Sequence, residues 1–266
     1  MKIIISHDVD HLHPSEHFFR DLIFPKLWFR SLVQLLKKEI SFSSFFERLF
    51  LIFRKRLNCI PEIIQFDKQN GIPSTFFFGM ANILGMSYKQ EQAEIWIKYV
   101  QKFGFDVGVH GVEIEDENKM LEEFHAFQKL SGLESFGIRT HYVRYNTSTF
   151  DKMCRIGYLF DTSVFDRQNG CKTRVYQVGD MWEFPLCIMD TYMMQGDLKK
   201  AQENTIIALK EAQMNGVKYF TFLFHDTNFN NKTNPKDRMY YEWFVDYCKN
   251  QGYKFVSYLD ALLELE

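Results

Sequence analysis

An alternation constrains this chain most. Short apolar runs that close on polar residues are separated by stretches with helical periodicity. The runs are "KIIIS" (2–6), "STFFFGM" (74–80), "FDVGVH" (105–110), "SFGIRTH" (135–141), "GYLFDTS" (157–163), "MWEFPLCIMD" (181–190), "VKYFTFLFHD" (217–226) and "YKFVSY" (253–258). Between them lie patterns such as "QEQAEIWIKYVQKFG" and "DLKKAQENTIIALKEAQMNG", whose apolar residues recur at helical spacing. Strand and helix in turn predict an α/β fold with a largely parallel sheet. Asp8, His110, Arg139, Asp161, Asp190 and His225 stand at the ends of six different runs. An open doubly wound sheet gathers its site at one switch point, whereas a barrel assembles it from many strand ends. The expectation is a barrel with one polar pocket at the C-terminal face of its strands.

The first run releases the densest chemistry. "HDVDHLH" places His7, Asp8, Asp10, His11 and His13 within seven residues. Two carboxylates two apart need protons, cations or a metal to offset their repulsion. One can act as a general base while the other holds a cation; an N-capping Asp with a turn Asp is the structural alternative. His110, after a buried strand and before a glycine, suits a metal ligand as well as a strand-capping imidazole. Arg139 can fix a carboxylate bidentately and so orient a base, or serve a structural ion pair. His225 ends an unbroken apolar strand, where a sheltered imidazole has a tunable proton affinity.

One segment interrupts the alternation. About sixty residues separate the first two runs, far more than a simple connection needs. From Phe18 to Arg56 nine basic residues face three acidic ones, Asp21, Glu39 and Glu47. Phe18, Phe19, Phe24, Trp28, Phe29 and a phenylalanine series from Phe42 to Phe53 are interleaved with them. Helices packed against the barrel with solvated lysines are the simpler reading; docking on an anionic bilayer is the other. The whole chain, 266 residues with 46% hydrophobic and 25% charged, reads as one barrel domain with a helical insertion over 14–70. A net charge of −2 gives no reason to expect nucleic acid. Five scattered cysteines without CxxC spacing read as reduced thiols. No apolar run reaches membrane-span length and Met1 leads straight into a strand. A cytoplasmic location is expected, with residues 18–56 as the candidate contact to the inner face of the membrane.

The order of these motifs resembles the polysaccharide deacetylase family, the carbohydrate esterase family 4-like group. The first run carries an Asp, the third G-x-H, the fourth R-x-x-Y, the fifth Y-x-x-D-T-S and the seventh L-F-H. The likeness runs from Met1 to about Tyr258, outside the insertion. It implies a distorted (β/α)7 barrel that hydrolyses an amide C–N bond, most simply by N-deacetylation of a sugar or polysaccharide precursor. By position it implies that Asp8 is the base activating water, that Arg139 holds the base, and that Asp161 supports the site. His225 matches the proton donor to the leaving amine. Asp10 and His110 match ligands of a divalent metal, zinc by family habit. Tyr142 falls where an aromatic lines the groove, with His141 and Asp190 taken as substrate-binding residues beside it. The family's second metal histidine, four residues after the first, is replaced here by Ile114, and His141 stands at a common proline. The third ligand is open: Glu113 or His7 first, His11 or His13 otherwise. A metal-free cyclic-amide hydrolase and a non-catalytic carbohydrate-binding relative remain as alternatives. "DVDHL" also resembles phosphatases of the haloacid dehalogenase type with an Asp nucleophile, although Leu12 stands where Thr or Val is usual.

Overall fold

Three consecutive isoleucines set the axis of the sheet. β1 (Lys2–Val9) is buried from Ile3 onward, and it pairs in parallel with three other strands. The computed structural model describes residues 1–17, 22–83, 85–165 and 172–265; Phe18, Phe19, Arg20, Asp21 and Cys171 of the sequence reading lie outside them. After β1 come α1 (Ile23–Leu36), α2 (Phe42–Leu49), α3 (Ile60–Asn70), β2 (Thr75–Phe78), α4 (Gln90–Lys102), β3 (Asp106–Gly111), α5 (Glu117–Ser131) and β4 (Ile138–Thr140). Then follow α6 (Thr149–Ile156), β5 (Phe160–Asp161), β6 (Tyr176–Val178), β7 (Met181–Glu183), β8 (Ile188–Met189), α7 (Asp190–Met193) and α8 (Leu198–Met214). The chain ends with β9 (Tyr219–Leu223), α9 (Pro235–Asn250), β10 (Lys254–Phe255) and α10 (Tyr258–Leu263).

The strands lie in the order β6-β7-β5-β4-β3-β2-β1-β9-β8, with β10 branching onto β1. All pairings are parallel except the β6–β7 hairpin. The sheet curls into a distorted (β/α) barrel, the form that the strand-end polar residues and the family resemblance imply, but no pairing joins β8 to β7 among the described residues. The run 181–190, read as one strand, is two. β7 pairs with β5 and β8 with β9, so Phe184–Cys187 bridges the open seam. Pro185, which has no N–H to give a ladder, sits in that bridge.

Period-two alternation sorts side chains to the two faces. Ile3, Ile5 and Val9 join the large core under the helices, together with Phe76, Val109, Phe220 and Phe222. Ile4, Phe77, Phe160, Phe184, Tyr219 and Tyr258 fill the barrel interior. Within the stretch 14–70 the last helix packs like a crossover. α3 buries Ile60, Ile63 and Ile64 in the main core, which makes it the crossover helix between β1 and β2. Cys59, Cys154 and Cys248 are free thiols.

Inside the barrel Phe160 stacks on Tyr258 with ring centroids 4.6 Å apart, and Gly137 runs beneath the same ring. A Cβ at Gly137 would lie 2.2 Å from the Phe160 ring. Gly137→Ala must therefore displace a ring held on both sides, and overpacking of this kind costs about 1–3 kcal/mol. Urea unfolding should show a lower midpoint for this variant with an unchanged slope.

Candidate active site

The alternation that builds the barrel also aims the polar residues. On β1 the parity of Ile4 continues through Ser6 and Asp8, and Asp10 follows just beyond the strand. On the neighbouring strands Gly108 and His110, and Arg139 and His141, repeat the same spacing. Asp8, Asp10, His110, Arg139 and His225 come together at the C-terminal mouth of the barrel, although they span most of the sequence.

Arg139 lies at the bottom, wholly buried. It donates from Nη1 to Asp8 Oδ1 at 2.9 Å, and from Nη2 to Ser6 Oγ at 2.7 Å and Tyr258 Oη at 3.0 Å. Its Nε donates to the Thr162 carbonyl at 3.2 Å, and its guanidinium lies 4.6 Å from the Phe77 ring centroid. Burial opposes the charge on Asp8, but His110, Arg139 and His225 outweigh it and hold the carboxyl below its ordinary range. Asp8 is thus a carboxylate with one oxygen fixed by Arg139 and the other, Oδ2, 3.7 Å from His110 Nε2.

Above it three ligand-type atoms form a triangle. His110 Nε2 is 3.3 Å from Asp10 Oδ1, His141 Nδ1 is 3.4 Å from the same oxygen, and the two nitrogens are 3.0 Å apart. Tetrahedral zinc at about 2.0–2.1 Å from each ligand sets ligand–ligand edges near 3.4 Å. His110 Nδ1 donates to the Arg139 carbonyl at 3.0 Å, which leaves the Nε2 lone pair facing the triangle. Asp10 Oδ1 is buried without a hydrogen-bond partner among the described residues, although burial disfavours its charge and the two histidines pull its carboxyl well below the ordinary range. The donor set therefore fits a divalent cation: Asp10, His110 and His141 offer converging lone pairs.

His141 reaches this place from a strained turn. Tyr142 and Val143 both have left-handed backbone, at φ 62° and 48°, which costs a β-branched residue such as Val143 about 1–2 kcal/mol. Thr140 Oγ1 bonds the Arg144 carbonyl at 2.6 Å, and Arg144 clamps the His141 and Val112 carbonyls at 3.1 and 2.8 Å. Tyr142, 62% exposed, stands at the rim with its ring 4.0 Å from that of His141.

His225 forms the other wall. Asp190 Oδ1 lies 2.7 Å from its Nδ1, and Asp190 Oδ2 accepts from the His225 backbone N–H and from Asn228. Burial lowers the proton affinity of this imidazole, but Asp190 first, then Asp10 and Asp8, raise its pKa to about 10. His225 Nε2 faces Asp10 Oδ2 at 4.0 Å.

Several residues fall outside the roles read from the sequence. His7 has the opposite parity on β1 and is bonded on the outer face to the Phe224 carbonyl and Asp67, so it is no ligand. Glu113 turns back to accept the N–H groups of Ile114, Glu115 and Asp116. His13 is bonded to the Lys55 carbonyl, and His11 packs its ring against His17 at 4.6 Å. Asp190 is fully buried behind His225 and bonded to its ring and backbone. His141 belongs to the triangle and not to a substrate wall. Asp161 is buried against Ser163 and shares its surroundings with Glu183; it supports the Arg139 charge from behind. The place of His141 left one signal in the sequence: "R-x-H" at the end of β4 repeats the two-residue step of "D-x-D" at the end of β1, which sends both pairs to one face.

Titration with zinc separates the candidates. His141→Ala should weaken binding at least as much as the loss of an outer-shell partner does, roughly 10- to 100-fold, while Glu113→Gln should leave it unchanged. Competition with a chromophoric chelator reads both affinities without any substrate.

No family model matches the chain, and no curated protein matches it in sequence. Solved structures do match. The allantoinase PuuE superposes with a TM-score of 0.61 at 14% identity, over 98% of this chain and 88% of that one. A Mycobacterium smegmatis protein provisionally named a polysaccharide deacetylase gives 0.56 at 15%, over 96% and 92%. The CE4 family pseudoenzyme BA3943 of Bacillus anthracis gives 0.51 at 7%, over 98% and 65%. Active and inactive proteins share this architecture, and at such identities the likeness speaks for the fold alone. The chain has a polysaccharide deacetylase-like fold.

Proposed function

We propose that the chain hydrolyses the amide C–N bond of an N-acylated sugar or sugar precursor, with Asp8 as general base and His225 as general acid. The observation that carries this reading is a held carboxylate facing a held imidazole at one mouth. Arg139 bonds Asp8, whose carboxyl His110 and Arg139 hold below its ordinary range, and Asp190 bonds the His225 ring and raises its pKa. Two groups pushed apart in this way are suited to take a proton and give one in the same reaction.

Asp10, His110 and His141 would hold a divalent metal, zinc by the nature of the donors, which when bound polarises a carbonyl and acidifies water. The chain's own residues account for the proton traffic. Asp8 Oδ2, the oxygen not bonded to Arg139, accepts a proton from the attacking water as the C–O bond forms. Asp190 fixes the Nδ1–H of His225, so its Nε2–H points to the mouth. On collapse of the tetrahedral intermediate the C–N bond breaks and Nε2 gives its proton to the departing nitrogen. A carboxylic acid and an amine leave. Tyr142, exposed at the rim, offers an aromatic face on which a sugar ring can rest.

Acetate release from N-acetylglucosamine oligomers by the zinc-loaded protein is the test. Asp8→Asn should lose roughly 100- to 10,000-fold in turnover, the usual worth of a general base, while retaining its fold and its zinc. Equal turnover in that variant, or hydrolysis of phosphate esters with none of any amide, overturns the reading. Asp190→Asn supplies the pH arm. His225 must be protonated to act, and removing the Asp190 carboxylate lowers its pKa. The alkaline limb of the pH–rate profile should therefore move to lower pH in this variant.

A further inference from the structure

The insertion between β1 and α3 leaves its apolar residues uncovered. Eight large Leu and Phe side chains between Leu22 and Phe53 are exposed, Phe29 to 71%, Leu36 to 75% and Phe53 to 80%. They are ordered and not scattered. Phe29, Leu32 and Leu36 fall three and four residues apart on α1, one stripe of a helix. Phe42 and Phe46 touch on α2 with ring centroids 4.7 Å apart, and Phe50 and Phe53 follow in a 3-10 turn. Exposed apolar side chains ordered on helices in this way mark a binding face.

Charge decides what it binds. Arg48 is buried on the Thr233 carbonyl and on Asn234, Arg54 pairs with Glu47, and Arg56 pairs with Glu62. Lys37, Lys38 and Lys55 stay exposed, with no carboxylate in ion-pair distance among the described residues. Lys26 and Arg30 flank the Phe29 stripe on α1 and are also exposed. Aromatic and leucine side chains bordered by exposed cations such as Lys37, Lys38 and Lys55 complement an anionic lipid surface, into which the rings insert while the lysines meet headgroups.

The insertion is also tied to the catalytic mouth. The Leu57 N–H bonds the Leu12 carbonyl, and His13 reaches the Lys55 carbonyl, both just beyond Asp10. Arg48 anchors the other side to the loop that follows His225. The Cys59 N–H bonds Asp226, the residue after His225, at 2.9 Å.

We propose that α1, α2 and the turn after them dock the protein on an anionic bilayer and set the site beside a lipid-borne, N-acylated sugar. The docking half stands without the catalytic reading, whereas the substrate half rests on it.

Co-sedimentation with vesicles of phosphatidylcholine containing 30% phosphatidylglycerol as the probe, at low salt, is the experiment. The protein should pellet with these vesicles and release as salt is raised, because exposed charges are screened. Lys37, Lys38 and Lys55 changed together to Gln should weaken binding about a hundredfold, near fivefold for each cation. Phe29→Ser with Phe53→Ser should abolish insertion, and turnover of a water-soluble N-acetyl sugar should be unaffected in both variants. If the protein stays in the supernatant at every lipid concentration, or if the serine variant converts a dimer to a monomer without changing pelleting, the docking proposal is overturned. If pelleting behaves as expected and no lipid-borne N-acylated sugar is hydrolysed while the soluble one is, only the substrate half fails. Loss of turnover on every amide would point instead to the catalytic reading.

Discussion

The buried pair of Arg139 and Asp8 is the interaction on which the geometry of the catalytic mouth depends. Taking both charges out of water costs several kcal/mol per ion before any attraction is counted. The barrel offsets that cost only because the Arg139 donors are distributed over Asp8, Ser6, Thr162 and Tyr258. Those partners come from β1, from the residues after β5 and from the start of α10, so the arginine draws distant parts of the chain to one point. Phe77 covers its face, which excludes water and strengthens each bond. A hydrophobic plug of similar volume would serve stability as well or better. What such a plug cannot do is hold Asp8 ionised and immobile beneath a polar mouth.

Much of the fold was legible because its parallel strands are buried on both faces and read as short apolar runs. The run 181–190 was misread for a physical reason: burial makes Met181–Glu183 and Ile188–Met189 equally apolar, and only Pro185 marks the place where the chain leaves one lip of the sheet for the other. α3 was absorbed into the insertion because its boundary is a change of partner and not of composition. Ile60, Ile63 and Ile64 follow directly on an amphipathic, basic stretch.

The site was legible in its residue types and less so in its directions. Asp8, Asp10, His110, Arg139 and His225 announce themselves as polar endings to apolar strands. The choice among further ligands needed the parity of each strand, which is available in the sequence once β1 is recognised. His7 is one step out of phase with Asp8 and goes to Asp67 on the outer face. His141 is in phase with Arg139 but leaves β4 through two left-handed residues, and no propensity foretells a left-handed valine. The closures that produce it are Thr140 to Arg144, within the turn, and Arg144 to Val112, 32 residues away in sequence.

Drawing the third ligand-type residue from β4 changes what the triangle does mechanically. A histidine four residues after His110 would have kept two ligands on one segment. Here Asp10, His110 and His141 come from the ends of three strands, β1, β3 and β4, and in the sheet order β4-β3-β2-β1 they bracket four neighbours. Three ligand-type atoms 3.0–3.4 Å apart at the open end of those strands need a proton or a cation between them. Protons and a divalent cation compete for that place, since a ligand must be deprotonated to bind metal. The elevated proton affinity of His110, which Asp8 and Asp10 impose against its burial, is the same attraction that a cation would meet. The carboxylates that make the mouth costly to assemble are therefore what makes it receptive, and Arg139 beneath them limits how much of that charge one bound proton can cancel.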